Sequence, residues 1–252
     1  MGKPKIAVQL YSVRDDLARD MPGTVKKVAA IGYEAVEFFG NAAYTADEVN
    51  AVLKENGLGM AGWHTPWGYV QDDFINVWIS YCKSIGNIYV VVPGLPGELT
   101  SSVGKWRETA GKFNAIAAKL AKEGLFLGYH NHWTEFLPIE EPGVLPWDAF
   151  FALADPAVIA QYDIGNSLHG TGIDAMKYHA QYVGRGKTVH AKSFAANKEA
   201  AAIGEDDLDW ERYVAEIVKA NVTDYIIVEY EHRVDDLYDK LATCYKTIKK
   251  YL

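Results

Sequence analysis

LFLGYHNH, residues 125–132, is the stretch on which the fold turns. Side chains alternate between two faces along a strand. One face here is Leu125, Leu127 and Tyr129, apolar throughout. The other is Phe126, Gly128, His130 and His132, which starts apolar, narrows at a glycine and ends in two imidazoles. A strand that turns polar on one face only, and only at its C-terminal end, suits a closed parallel barrel. There one face packs on helices, the other fills the barrel, and reactive groups gather at the C-terminal rim.

Seven more β-rich runs surround it: IAVQLYSV (6–13), EAVEFFG (34–40), LGMAGWHT (58–65), NIYVVVPG (87–94), VIAQYDIGNS (158–167), KTVHAKSF (187–194) and YIIVEYEH (225–232). Helical patterns separate them, at 22–32, 45–57, 72–86, 102–123, about 146–154, 172–183, 209–221 and from 234 onward. Thr45 with Glu48 three residues later is a capping-box signature, and Gly57 closes that helix. Eight strand–helix units without a break in composition predict an α/β fold, a single (β/α)8 TIM barrel over residues 1–252. The competing doubly wound sheet normally carries a glycine-rich turn after its first strand. That position reads YSVRDDLA, without a glycine.

Composition narrows the partners. A net charge of −8 and a pI near 5.4 offer no basic footprint for nucleic acid. No apolar run approaches a membrane span, and the N-terminal residues lack a secretory core, so a cytoplasmic chain is expected. Cys82 and Cys244 have no motif spacing and read as buried thiols rather than a disulfide.

The alternation rule selects the rim from the other strands. Ile159, Gln161 and Asp163 share a face; so do His190 and Lys192, and so do Ile227, Glu229 and Glu231. Met60, Gly62 and His64 align, and Glu37 lies between outward Val36 and Phe38. Carboxylates and imidazoles converging in a partly dry mouth need compensation. A divalent cation supplies it, and mixed nitrogen and oxygen donors suit Mn²⁺, Co²⁺, Zn²⁺ or Fe²⁺ better than Ca²⁺ or Mg²⁺. Each residue alone has an ordinary reading. A strand-end histidine is more often a hydrogen-bonded structural residue, Asp163 suits a turn, and Glu231 suits a surface pair with Arg233 or Lys192. The weight lies in one rule selecting all of them.

The chain also resembles the xylose isomerase-like barrel superfamily, and within it the sugar phosphate isomerases/epimerases. The resemblance runs in order through IAVQLYSVRDDL (6–17), GWHTP (62–66), LGYHNHWTEF (127–136), YDIGN (162–166), VHAKSF (189–194), GEDDLDW (204–210) and VEYEH (228–232). It implies a metal, Mn²⁺ first with Co²⁺, Mg²⁺, Zn²⁺ or Fe²⁺ as alternatives, held by Asp163, His190 and Glu229. The fourth family ligand is a glutamate on the fifth strand. This chain has YHNH there, which puts His130 at or next to that position and leaves His132 as its rival. The implied chemistry is removal of a proton alpha to a carbonyl of a sugar or keto-sugar. Glu229, Glu135, His132 or His64 would supply acid and base, and Lys192 would steady an oxyanion. Tyr11, Glu37, Trp63, Trp67 and Glu231 are the expected substrate-binding residues, the aromatic ones by stacking on a sugar ring.

The departure at His130 keeps a second reaction open. YHNH is also similar to a stretch of 2-keto-myo-inositol dehydratases, so a lyase acting on a keto-inositol or a 3-keto-glycoside is the alternative. Endonuclease IV shares the barrel, but Asn166 stands where it has a histidine, and no basic groove is evident for phosphates. A sugar-binding barrel without turnover is the remaining class. The relatives are often dimers or tetramers, which allows a homo-oligomer.

Overall fold

The strands start close to where the sequence places them and end sooner. The computed structural model describes residues 2–140 and 143–252. Its strands are β1 (Lys5–Gln9), β2 (Ala35–Phe39), β3 (Gly59–His64), β4 (Tyr89–Val92), β5 (Phe126–His130), β6 (Ile159–Gln161), β7 (Thr188–Lys192) and β8 (Tyr225–Glu229). All pair in parallel in the order β6-β5-β4-β3-β2-β1-β8-β7. The helices between them are α1 (Arg14–Arg19), α2 (Met21–Ile31), α3 (Ala46–Asn56), α4 (Ile75–Ser84), α5 (Val103–Ala121), α6 (Pro146–Phe151), α7 (Ala175–Tyr182), α8 (Trp210–Ala220) and α9 (Leu237–Tyr251). The result is the predicted (β/α)8 TIM barrel. Among the described residues no helix is long and apolar enough to cross a membrane.

Local signals account for several element ends. Thr45 and Glu48 form the capping box of α3, with the Thr45 backbone N–H 2.7 Å from the Glu48 carboxylate, and Gly57 ends it at φ +65°. The first strand runs to Gln9 rather than Val13. The Gln9 side chain accepts from the backbone N–H of Tyr11 at 3.1 Å and turns Leu10–Val13 into a 3-10 turn that leads into α1, a helix the hydrophobic pattern does not show.

The barrel closes unevenly. β6 and β7 form the two ends of the strand order, and a bridge, Asp163 to His190, joins them. The His190 N–H donates to the carbonyl of Tyr162 at 3.1 Å. Just past the bridge, Gly165 passes so close to β7 that a Cβ on it would stand 2.5 Å from the Lys192 carbonyl oxygen. The seam therefore depends on a residue without a side chain.

Two apolar layers surround the sheet backbone. The outer one, between strands and helices, buries Phe38, Trp63, Trp78, Phe113, Tyr129 and Trp147 completely or nearly so. Burial of such side chains is worth about 1.5–3 kcal/mol each. The inner one is small: Ala7, Ala35, Ala61 and Ile227 form a separate buried cluster. Gly128 lies against Val91 and Ile159. Small residues low in the barrel leave the room above them for polar groups.

Strict alternation fails at one strand. Val36 pairs with Met60, but Glu37 pairs with Gly62, so Ala61 is an extra residue on β3. This bulge puts Met60 on the outer layer and Ala61 inside, while Gly62 and His64 keep the inward direction. The expected alignment of Met60 with them is corrected by the insertion.

Candidate metal centre and barrel mouth

Four side chains from adjacent strand ends meet at the seam. His130 ends β5, Asp163 follows β6, His190 lies on β7 and Glu229 ends β8. All four are buried, and one donor atom from each lies within 4.8 Å of the others. His190 Nδ1 is 3.3 Å from Glu229 Oε2 and 3.7 Å from Asp163 Oδ2. The second distance is beyond hydrogen-bond reach, and Asp163 Oδ2 is buried with no partner among the described residues.

The loop after β5 positions Asp163. Asn131, between the two histidines, accepts from the Asp163 backbone N–H at 2.8 Å and donates to its carbonyl at 3.0 Å. The Asn166 N–H donates to Asp163 Oδ1 at 2.7 Å. One carboxylate oxygen is thus held by the protein and the other is left bare. An unpaired buried carboxylate oxygen is costly, and a cation among mixed nitrogen and oxygen donors is a chemistry that satisfies it. The residues fit a divalent ion. Its ligands would be His130, Asp163, His190 and Glu229.

Below this cluster lies a layer of buried hydrogen bonds. Glu37 accepts from Gln9 Nε2 at 2.8 Å, from Gln161 Nε2 at 2.9 Å and from His190 Nε2 at 2.7 Å. Gln161 Nε2 also donates to Thr188 Oγ1 at 2.9 Å, and Gln161 Oε1 lies 2.7 Å from His64 Nε2 and 3.1 Å from His130 Nδ1. The three imidazoles of His64, His130 and His190 cluster with centroids 4.6–5.0 Å apart.

Charge follows burial and neighbours. Burial opposes ionisation of Glu37, but His64 and His190 outweigh it and keep the carboxylate below its usual range. Burial likewise opposes a charged His190, yet Glu37, Asp163 and Glu229 raise it well above an ordinary histidine. Burial pushes His130 well below that value, helped by the other two imidazoles. Lys192 is held protonated by Glu229, Asp163 and Glu231 against its own burial. It donates to Asn166 Oδ1 at 2.8 Å, pairs with Glu231 and stands 3.9 Å from Glu229.

Above the cluster opens a mouth of about 330 Å³, lined by Tyr11, Phe39, His64, His130, His132 and Glu229, with Glu231, Pro66, Pro93 and the backbone of Gly40 and Gly94 completing it. This is at the lower end of small-molecule sites. Tyr11 is partly exposed and packs edge-on against Phe39.

The structure brings His130, Asp163, His190, Glu229, Lys192, His64, His132, Tyr11 and Glu231 together, and it moves four other expected residues elsewhere. Glu37 is fully buried beneath the mouth. Trp63 faces outward, stacks on Phe38 at 5.0 Å and donates to the Gly40 carbonyl. Trp67 stacks on Phe113 at 5.6 Å and does not line the mouth. Glu135 accepts from the Tyr129 hydroxyl at 2.6 Å, the His132 N–H at 2.9 Å and Thr134 Oγ1 at 3.0 Å, so its carboxylate ties down the loop on the outer layer. Sequence reasoning missed Gln161, Asn131 and Asn166 as site builders. Gln161 shares the inner face with Asp163, but a neutral amide gives no ligand signal.

Comparison with known proteins agrees with this architecture. The model of the xylose isomerase-like TIM barrel family matches residues 25–248, and the chain belongs to that family. No curated protein sequence matches it. Among solved structures, a sugar phosphate isomerase/epimerase from Parabacteroides distasonis superposes with a TM-score of 0.79 at 20% identity, covering 100% of this chain and 96% of the other. A D-allulose 3-epimerase from Methylomonas sp. gives 0.73 at 12% identity, covering 100% and 99%. A xylose isomerase-like TIM barrel protein from Mycobacterium smegmatis in complex with magnesium gives 0.72 at 14%, covering 100% and 98%. At these identities the likeness is one of fold.

Proposed function

We propose that this chain is a divalent-metal-dependent sugar isomerase or epimerase that removes a proton alpha to a carbonyl. The observation that carries the reading is the buried His130, Asp163, His190 and Glu229 cluster with the bare Asp163 Oδ2, of which His130 and Glu229 line a mouth of about 330 Å³. The structural neighbours that are epimerases and the magnesium complex add weight to it. Bound there, the ion would supply Lewis-acid polarisation of a substrate oxygen; Mn²⁺ is our first choice of metal.

The chain's own groups supply the rest. Glu229 Oε2 faces His190 at 3.3 Å and Lys192 at 3.9 Å, which keep its carboxylate ionised against burial and so available to accept a proton from the substrate side. The Lys192 ammonium is pinned by Asn166 and Glu231 and can steady developing negative charge without reorganising. His132 is exposed at the mouth, its ring 5.3 Å from that of His130, and is free to act as the second acid or base. Tyr11 and Phe39 offer an apolar wall for a ring face.

Elimination is the second reading, favoured by His130 in place of a carboxylate and by a neighbouring depression of about 500 Å³ beyond His132, lined by Trp133, Leu137 and Ile139, with space for a leaving aglycone. Incubation with keto-sugars in D₂O separates the two. Deuterium entry with the skeleton intact supports isomerisation, whereas loss of water or an aglycone supports a lyase. The purified protein should bind one divalent ion per chain, and Asp163→Ala and His190→Ala should not. Stoichiometric metal in both variants would overturn the assignment.

A further inference from the structure

We propose that Glu37 is the positioning residue of the candidate centre: this one carboxylate fixes which nitrogen each of the two ligand imidazoles, His130 and His190, offers. The inference rests on the metal-centre reading above. Glu37 is fully buried and is not part of the mouth. It therefore acts through other residues rather than on a substrate.

The direct arm runs to His190. A carboxylate only accepts, so the 2.7 Å contact makes His190 Nε2 the donor. That leaves Nδ1 on the side of Glu229 and Asp163, at 3.3 and 3.7 Å. Carboxylate partners of this kind orient metal-binding histidines and raise their basicity.

The indirect arm runs through Gln161. Its amide has two donor and two acceptor positions, and all four are used. Because Glu37 Oε1 accepts, Gln161 must place Nε2 there, at 2.9 Å, and Thr188 takes the other N–H. Gln161 Oε1 is then turned to accept from His64 Nε2 and His130 Nδ1. His130 thus carries its proton on Nδ1, and Nε2 is left with a lone pair on the side of Asn166, 3.4 Å away. The opposite amide orientation would set Gln161 Oε1 against the carboxylate.

The backbone makes room for this arrangement. A Cβ on Gly62 would stand 2.7 Å from Glu37 Oε1. The bulge that inserts Ala61 thus presents a glycine where the carboxylate lies.

Glu37→Gln and Gln161→Met test the proposal, each confirmed folded by its melting curve. Zn²⁺ affinity is read by chelator competition. The ring tautomers are read on the metal-free protein, at one pH, by long-range ¹H–¹⁵N NMR. In the parent, His130 should carry its proton on Nδ1. The NH2 of Gln at position 37 must face either the Gln161 amide or His190, so one imidazole loses its orientation and Zn²⁺ binding falls about 10–100-fold. Gln161→Met should shift His130 away from the Nδ1–H form and weaken Zn²⁺ less than Glu37→Gln does. Parental affinity in folded Glu37→Gln, or a parental His130 tautomer in Gln161→Met, would overturn the proposal. A parent that binds no Zn²⁺ would instead overturn the metal-centre reading, and the tautomers would still decide the relay.

Discussion

Gly165→Ala should loosen the barrel and its candidate metal site together. The backbone at Gly165 is ordinary, with φ −69°, so alanine meets no conformational penalty. The obstacle is β7. The new Cβ would lie 2.5 Å from the Lys192 carbonyl oxygen, 2.9 Å from its carbonyl carbon and 3.0 Å from its Cβ. Those are mostly backbone atoms, so no side-chain rotation relieves the contact, and the seam must open by several tenths of an ångström. Overpacking of this kind costs about 1–3 kcal/mol. For a chain of this size about 2 kcal/mol lowers the melting temperature by about 4–8 °C. The same displacement separates His190 from Asp163, so Zn²⁺ affinity should fall with stability. Gly111→Ala is the control. Gly111 sits exposed in α5 with nothing within 4 Å of the place its methyl group would take, and alanine there should stabilise by about 0.5–1 kcal/mol. Scanning calorimetry and chelator competition read both variants. A Gly165→Ala protein that melts with the parent and keeps its Zn²⁺ affinity would refute the reasoning.

Two further predictions concern residues away from the centre. His179 packs on Tyr213 at 4.2 Å and donates to its carbonyl, and burial lowers its pKa to about 4. The unfolded value is about 6.5, so the unfolded chain binds the proton first and stability falls as pH drops from 6.5 towards 4, by about 2 kcal/mol at pH 5. Urea unfolding at pH 7 and 5 should show that difference shrinking in His179→Gln; an unchanged difference would contradict it. Glu135→Ala should strand the buried Tyr129 hydroxyl and cost about 1–3 kcal/mol. Its Zn²⁺ affinity should stay close to the parent's, because Glu135 bonds the Tyr129 hydroxyl, the His132 N–H and Thr134 and none of the four candidate ligands. A large loss of turnover at unchanged melting temperature would return Glu135 to a catalytic role.

Much of this architecture is legible in the sequence because barrels repeat one physical pattern. The eight strands stand out by their apolar runs, and alternation alone turns His130, His190 and Glu229 inward. Where reading failed, the cause was non-local. The insertion at Ala61 is defined only by its partner strand, since nothing in LGMAGWHT says that Glu37 pairs with Gly62. Trp63 and Trp67 sit beside rim residues in sequence, yet the outer layer offers them aromatic partners from α4 and α5, Trp78 and Phe113. Glu135 follows the two histidines closely, but the Tyr129 hydroxyl, on the opposite face of β5, captures it. Gln161 and Asn131 declare their roles only when their amides are seen bridging strands.

The uneven closure has a thermodynamic consequence. Two of the four candidate ligands stand on each side of the loosely zipped edge, His130 and Asp163 with β5 and β6, His190 and Glu229 with β7 and β8. An ion shared among them would link chain segments that the sheet itself scarcely connects. Occupancy and folding would then be one equilibrium: at a hundred times its dissociation constant, an ion bound only by the native chain adds about 2.7 kcal/mol. That added resistance to opening would fall first on the amides of β6 and β7, so the substrate mouth would be firmest when the protein is charged for work.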